Sequence, residues 1–176
     1  MGRIILAIGN PGSGKSRAIL NLDENTTLLV KPNRKEPYTQ LAYRGYLSAT
    51  DDHNVLQDWI DFDPDMNIGI SCEASGIIVF DVDYRNMTAD SWSAVKHFVW
   101  SDTHIVTTGN GVHIYYKCPQ ELKVRGKLYD GVDIKYRGYV LAPPSLHPSG
   151  ASYESNDQQI IDIPDYLLKE ITNAVR

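Results

Sequence analysis

"GIIVFDVD", residues Gly76–Asp83, admits two readings, and the choice between them decides the fold. Four apolar residues, Ile77 to Phe80, run into Asp81. In one reading the strand belongs to a parallel sheet, and Asp81 is the Walker B acid of a nucleotide hydrolase. In the other the sheet is antiparallel, and Asp81 and Asp83, two positions apart, share a face as a carboxylate pair. The first reading has a companion upstream. "GNPGSGKS", Gly9–Ser16, is a complete Walker A motif with Gly9, Gly14, Lys15 and Ser16 in register, set between the apolar run Ile4–Ile8 and a helical pattern at Arg17–Leu22. In such a loop backbone N–H groups cradle phosphates, Lys neutralises them and Ser holds magnesium.

The order of elements further along favours the second reading. A strand at 3–9, a helix at 16–22 and a strand at 26–31 come first, followed by a polar loop to about Ala49. A helix at 52–61 starts on Thr-Asp-Asp and gathers Val55, Leu56, Trp59 and Ile60 on one face. Strands at 67–72 and 76–83 precede a helix at 88–99, with Trp92, Val95 and Val99 on its apolar side. From there the runs at 103–108, 112–117, 131–136 and 138–142 are short, rich in Val, Ile, Tyr and Thr, and parted by glycine turns. A helix at 164–175 closes the chain. A nucleotide hydrolase alternates strands and helices to build a covered parallel sheet; strand after strand with tight turns builds an antiparallel one. The expected class is α+β in two lobes, with a largely antiparallel sheet and flanking helices.

Length and composition narrow the rest. A chain of 176 residues supports one good core, and 42% hydrophobic with 22% charged residues is an ordinary globular balance. The sequence shows neither a membrane-length apolar stretch nor a signal-peptide pattern, so the expected compartment is the cytoplasm. Cys72 and Cys118 lie far apart in strand-like runs, which excludes a thiolate zinc site and makes both buried free thiols. The net charge of −5 argues against a protein that coats nucleic acid, while "KPNRK" and "KVRGK" leave room for a local basic patch.

Three stretches carry the chemistry. In "VFDVDYR" the two carboxylates stand roughly 7 Å apart along one strand and repel unless a cation meets them. In "TTGNGVHIYYK" Gly109, Asn110 and Gly111 make a tight turn, and His113 projects at its mouth; the glycines allow close backbone approach to a ligand. In "DGVDIKYRGYVLAPPSLHPSG" Asp133 interrupts an apolar alternation, Lys135 shares its face, and Arg137, Ser145 and His147 follow within a compact hairpin and Pro-Pro turn. An acid in a strand-forming run is costly unless a cation or hydrogen-bond donors meet it.

These stretches resemble the primase–polymerase domain of the archaeo-eukaryotic primase superfamily, found in phages, plasmids and mobile elements. The family's acid-x-acid strand, small-x-His motif and later third acid correspond to Asp81-Val82-Asp83, Gly111-Val112-His113 and Val132-Asp133. Its bifunctional branch adds a K-x-P, an "ATD…W" helix entry, "NIGI" and a closing "APPS-x-H-x-x-G". Here these are Lys35-Glu36-Pro37, Ala49-Thr50-Asp51 with Trp59, Asn67-Ile68-Gly69-Ile70, and Ala142-Pro143-Pro144-Ser145 with His147 and Gly150. The likeness spans roughly residues 27–168 in order. It implies residues 27–176 as one compact catalytic domain with an RRM-like sheet, preceded by a 1–26 extension carrying the Walker A-like loop.

The resemblance further implies template-directed nucleotidyl transfer by a DNA primase and polymerase in replication of a phage, plasmid or mobile element, in the cytoplasm of a prokaryotic host. Asp81, Asp83 and Asp133 would hold two Mg²⁺ or Mn²⁺ ions, with His113 beside them as a catalytic residue. Gly109, Asn110, Gly111, His113, Lys135, Arg137, Lys35, Ser145 and His147 would bind the incoming nucleotide. The implied partners are a single-stranded DNA template, NTPs and dNTPs, and a helicase, fused downstream or separate; no membrane is implied. A P-loop ATPase using Gly9–Ser16 and Asp81 leaves His113 and Asp133 without a role, and a noncatalytic nucleic-acid-binding module has no use for three converging acids.

Overall fold

The computed structural model describes residues 27–31, 47, 49–62, 67–96, 102–119, 121–147 and 149–172. The Walker A-like stretch, the strand expected at 3–9, the helix expected at 16–22 and Lys35 lie outside the described residues. Nine strands and three α-helices are formed by the described residues. In order they are β1 (Thr27–Lys31), α1 (His53–Phe62), β2 (Asn67–Ser71), β3 (Ile77–Asp83), a 3₁₀ turn (Tyr84–Asn86), α2 (Ala89–Val95), β4 (Ile105–Thr107), β5 (Gly111–Lys117), β6 (Lys127–Tyr129), β7 (Val132–Lys135), β8 (Tyr139–Ala142), β9 (Glu154–Ser155) and α3 (Asp165–Thr172).

The strands make two sheets. A three-stranded sheet has the order β1-β2-β8, and a six-stranded sheet has the order β6-β7-β3-β5-β4-β9. Every pairing in both is antiparallel. This is the α+β class, and it removes the parallel sheet that a Walker B reading of Asp81 requires.

Alternation along β3 explains how the sheets meet. Ile78, Phe80 and Val82 point to one face, where they join Ile114, Tyr116 and Ile134 and are covered by Val95 of α2 and Leu167 and Ile171 of α3. Ile77 and Val79 point to the other face, into a core shared with Leu56 and Trp59 of α1, Ile68 and Ile70 of β2, and Val140 of β8. The next residue on that second face is Asp81. The apolar cover therefore stops where the carboxylates begin, and the change from Val79 to Asp81 marks the edge of a cleft.

Local chemistry sets the helix starts. Asp52 caps α1, its side chain accepting from Asn54 N–H at 2.8 Å and its carbonyl from Leu56 N–H at 3.0 Å. Thr88 caps α2 by accepting from Ser91 N–H at 3.1 Å. The inward face of α2 belongs to Ser91 and Val95, four apart. Trp92, expected inside, lies off that face, is 40% exposed, and rests against Tyr84. Both cysteines are free thiols; Cys72 is buried as expected, whereas Cys118 is only half-buried. Burial pushes both thiols above their ordinary range, Cys118 to about 12. No helix among the described residues is long and apolar enough to cross a membrane.

Candidate active site

Register places three of the expected site residues in one row. Asp81 is directly opposite His113 on β5 and directly opposite Asp133 on β7, so the three Cβ atoms share a face on neighbouring strands. The two carboxylate oxygens of Asp81 face opposite ways along that row. Oδ1 lies 3.5 Å from His113 Nε2, and Oδ2 lies 3.4 Å from Lys135 Nζ. Lys135 also donates to Asp133 Oδ2 at 3.0 Å, so one ammonium serves both acids. Burial pushes the Asp81 carboxyl up, yet the His113 contact and the Lys135 charge outweigh it and hold it below its ordinary value. Burial likewise opposes the charge on Lys135, and the two carboxylates override it and raise the ammonium above its usual range.

Asp83 shares the face but is turned to its own turn. Its Oδ1 accepts from Arg85 N–H and Nε, at 3.1 and 3.0 Å, and its Oδ2 accepts from Arg85 Nη2 and Asn86 Nδ2, at 2.8 and 2.9 Å. The Arg85 bonds hold the Asp83 carboxyl low. With Asp83 so engaged, no three acidic, imidazole or thiol groups among the described residues stand close enough together to hold a metal as the side chains lie. The donor set nonetheless suits one. Carboxylate oxygens are the ligands of hard divalent cations, and Asp81 and Asp133 already converge on a single positive charge. His113 adds a buried polar atom, its Nδ1, that has no hydrogen-bond partner among the described residues.

These groups line a cleft of about 520 Å³, within the range that holds a nucleotide-sized ligand. Asp81, Asp83, His113 and Asp133 line it from the strands, with Asn110 and His147 from the loops. Gly109 and Gly111 serve the packing of this wall. A Cβ on Gly111 would stand 1.8 Å from the carbonyl oxygen of Val82, so the glycine is what lets β5 close on β3 opposite Asp83. A Cβ on Gly109 would stand 2.6 Å from the His147 ring.

The "NIGI" and "APPS-x-H" motifs, 77 to 79 residues apart, clamp each other. The Asn67 side chain donates to Leu146 O and accepts from Leu146 N–H, both at 2.8 Å. Ser145 Oγ accepts from Ile68 N–H at 2.9 Å and donates to Ile68 O at 3.2 Å. Ser145 is therefore buried in this clamp, away from the cleft, and the clamp delivers His147 to the wall. Arg137 is also elsewhere, exposed and 3.5 Å from Glu73. In the "KVRGK" stretch Arg125 meets Glu170 and Lys127 meets Asp130, so two of its cations are already matched.

The sequence reading missed Tyr153, which lines the cleft with its ring 5.8 Å from His113 and 6.4 Å from His147. It also missed Arg85, Asn86, Thr88, Thr108, Lys127 and Asp130 of the lining. Arg85 and Asn86 were within reach of sequence, since they follow the acidic pair directly. Tyr153 stands in a polar loop with no pattern to mark it.

Compared with known proteins, the chain matches the family described as bifunctional DNA primase/polymerase, N-terminal, over residues 17–166. No curated protein matches it.

Proposed function

Since the chain belongs to the bifunctional DNA primase/polymerase family, we propose that the cleft over β3, β5 and β7 performs template-dependent nucleotidyl transfer, as DNA primase and DNA polymerase. The observation that carries this reading is the transverse row His113–Asp81–Asp133, three functional side chains at paired positions of adjacent strands facing one nucleotide-sized cleft.

Asp81 and Asp133 are the central ligands for Mg²⁺ or Mn²⁺, and Asp83 joins them by giving up its bonds to Arg85 and Asn86. When bound, two such ions activate the attacking 3′-hydroxyl and take up charge on the leaving pyrophosphate. The remaining work belongs to side chains of this chain. His113, half of whose ring polarity is unmatched by protein, meets the sugar or triphosphate of the incoming nucleotide, and Asn110 and His147 border the same space. Lys135, two residues along β7 from Asp133, neutralises the carboxylates and supplies positive charge for the triphosphate. The Asn67 and Ser145 clamp acts at one remove by fixing His147. The partners are a single-stranded DNA template, NTPs and dNTPs, and a helicase, in the replication of a phage, plasmid or mobile element.

The test is synthesis on a primed and an unprimed single-stranded template with Mg²⁺ or Mn²⁺, supplying dNTPs and NTPs separately. Extension and de novo products that vanish in Asp81→Asn and Asp133→Asn are expected. Products that persist undiminished in either variant overturn the reading.

A further inference from the structure

Tyr84 and Trp92 form an exposed aromatic pair, close in sequence to residues that line the cleft, that the transfer chemistry leaves unused. Their ring centroids are 5.3 Å apart at 36°, and the residues are 45% and 40% exposed. Isolated exposed aromatics are commonplace, but here two touch each other and sit on anchored backbone. Tyr84 follows Asp83 directly, and its N–H donates to Asn110 O at 2.9 Å across the cleft wall. Trp92 N–H donates to Thr88 O at 2.9 Å, within the turn that Thr88 caps. Arg85, Asn86 and Thr88, which lie between the two rings in sequence, all line the cleft.

We propose that Tyr84 and Trp92 are a stacking platform for unpaired nucleobases of a single DNA strand at the mouth of the cleft. This rests on the polymerase reading for the identity of the strand. Continuity with the cleft argues for that occupant, and so does size. Two side chains fall far short of the roughly 1,200 Å² that a stable protein interface buries, whereas one base covers an aromatic ring. Rings already held by capped turns lose little freedom on binding, which favours a site prepared in advance.

The experiment is equilibrium binding of the full chain to a fluorescent oligothymidylate, followed by anisotropy over a series of salt concentrations. A second oligonucleotide, abasic throughout, keeps the phosphates and removes the bases. Tyr84→Ala and Trp92→Ala should each weaken oligothymidylate binding by roughly 5- to 100-fold, the loss of one stacked base. That loss should be the same at every salt concentration, because no counterion is released by stacking. Trp92→Phe should retain most of the affinity, and the abasic strand should bind wild type and variants alike. Unchanged oligothymidylate affinity in both alanine variants, with native circular dichroism, overturns the proposal. So does a loss that grows as salt falls, or a Trp92→Ala variant whose effect is to dissolve a self-associated form of the protein. The two readings fail separately. Stacking without synthesis in any metal would remove the polymerase assignment and leave the platform, while acid-dependent synthesis with unaltered strand binding in the variants would do the reverse.

Discussion

Asp81 and Asp133 face each other across the β3–β7 ladder, and the ammonium of Lys135 reaches both, at 3.4 and 3.0 Å. Paired positions on adjacent strands bring Cβ atoms to about 5 Å, where two carboxylates repel. Lys135 offsets that repulsion from two residues along β7. Lys135→Met should therefore lower stability by about 1 kcal/mol, a few degrees in melting temperature for a chain of this length. Added Mn²⁺ should restore part of the loss by occupying the same carboxylates. The check is thermal unfolding of both proteins with and without the ion. A variant that melts with wild type and ignores Mn²⁺ would show that the two acids do not need a shared cation.

Asp81→Asn and Asp133→Asn should reduce nucleotide addition by on the order of 10³-fold or more, with the native circular dichroism retained. Stability should separate the two roles of Asp81. Its carboxyl is held below its ordinary value in the fold, so the folded protein binds fewer protons there than the unfolded chain. The stabilisation from His113 and Lys135 is then fully present above about pH 4 and is lost as pH falls through the lower, folded value. The gap in denaturation free energy between wild type and Asp81→Asn should accordingly shrink between neutral and strongly acid pH. A gap that widens on acidification would mean that burial, not its partners, dominates that carboxyl.

Much of this arrangement was legible in the chain. Alternation gave the strand at Ile77–Asp83 and the shared face of its acids, because period-two patterning survives in a sheet with one polar end. The row itself was not legible. Which residue of β5 or β7 stands opposite Asp81 depends on register across long connections, and no local signal encodes it. Strands β6 and β9 were missed because three and two residues are too few to show a period. Trp92 was read as core because its spacing with Val95 is helical, yet Ser91 takes the inward position. Ser145 is a nucleotide contact only by the implication of the family resemblance, and its hydroxyl is consumed by the backbone of Ile68.

The two glycines of the Gly-Asn-Gly turn should behave differently on substitution. In Gly111→Ala the new methyl meets the Val82 carbonyl, a backbone atom at the Asp83 end of the β3–β5 ladder that cannot step aside. A loss of about 3 kcal/mol or more in denaturant unfolding is expected, with activity falling along with the folded fraction. In Gly109→Ala the new methyl meets the His147 ring, a side chain that can rotate away. Stability should change by less than about 1 kcal/mol, while the KM for nucleotide rises because His147 has left the wall. Equal stability losses in the two variants would contradict this division.

The last prediction concerns Lys15 of the Walker A-like stretch, which lies outside the described residues. A hydrolase of that type needs an acid to organise its magnesium and the attacking water. The best candidate in the sequence, Asp81, is surrounded on both sides by antiparallel neighbours and engaged by His113 and Lys135. Asp83, the other acid of that strand, is assigned with Asp81 and Asp133 to the metal ions of the proposed transfer site. An anion can still rest on backbone N–H groups and Lys15 without being hydrolysed. Lys15→Ala should thus leave templated nucleotide addition within a few-fold of wild type, and ATP turnover in the absence of template should be negligible in both proteins. Steady template-free ATP hydrolysis that disappears in Lys15→Ala and in Asp81→Asn alike would return Asp81 to the N-terminal loop and take it from the row.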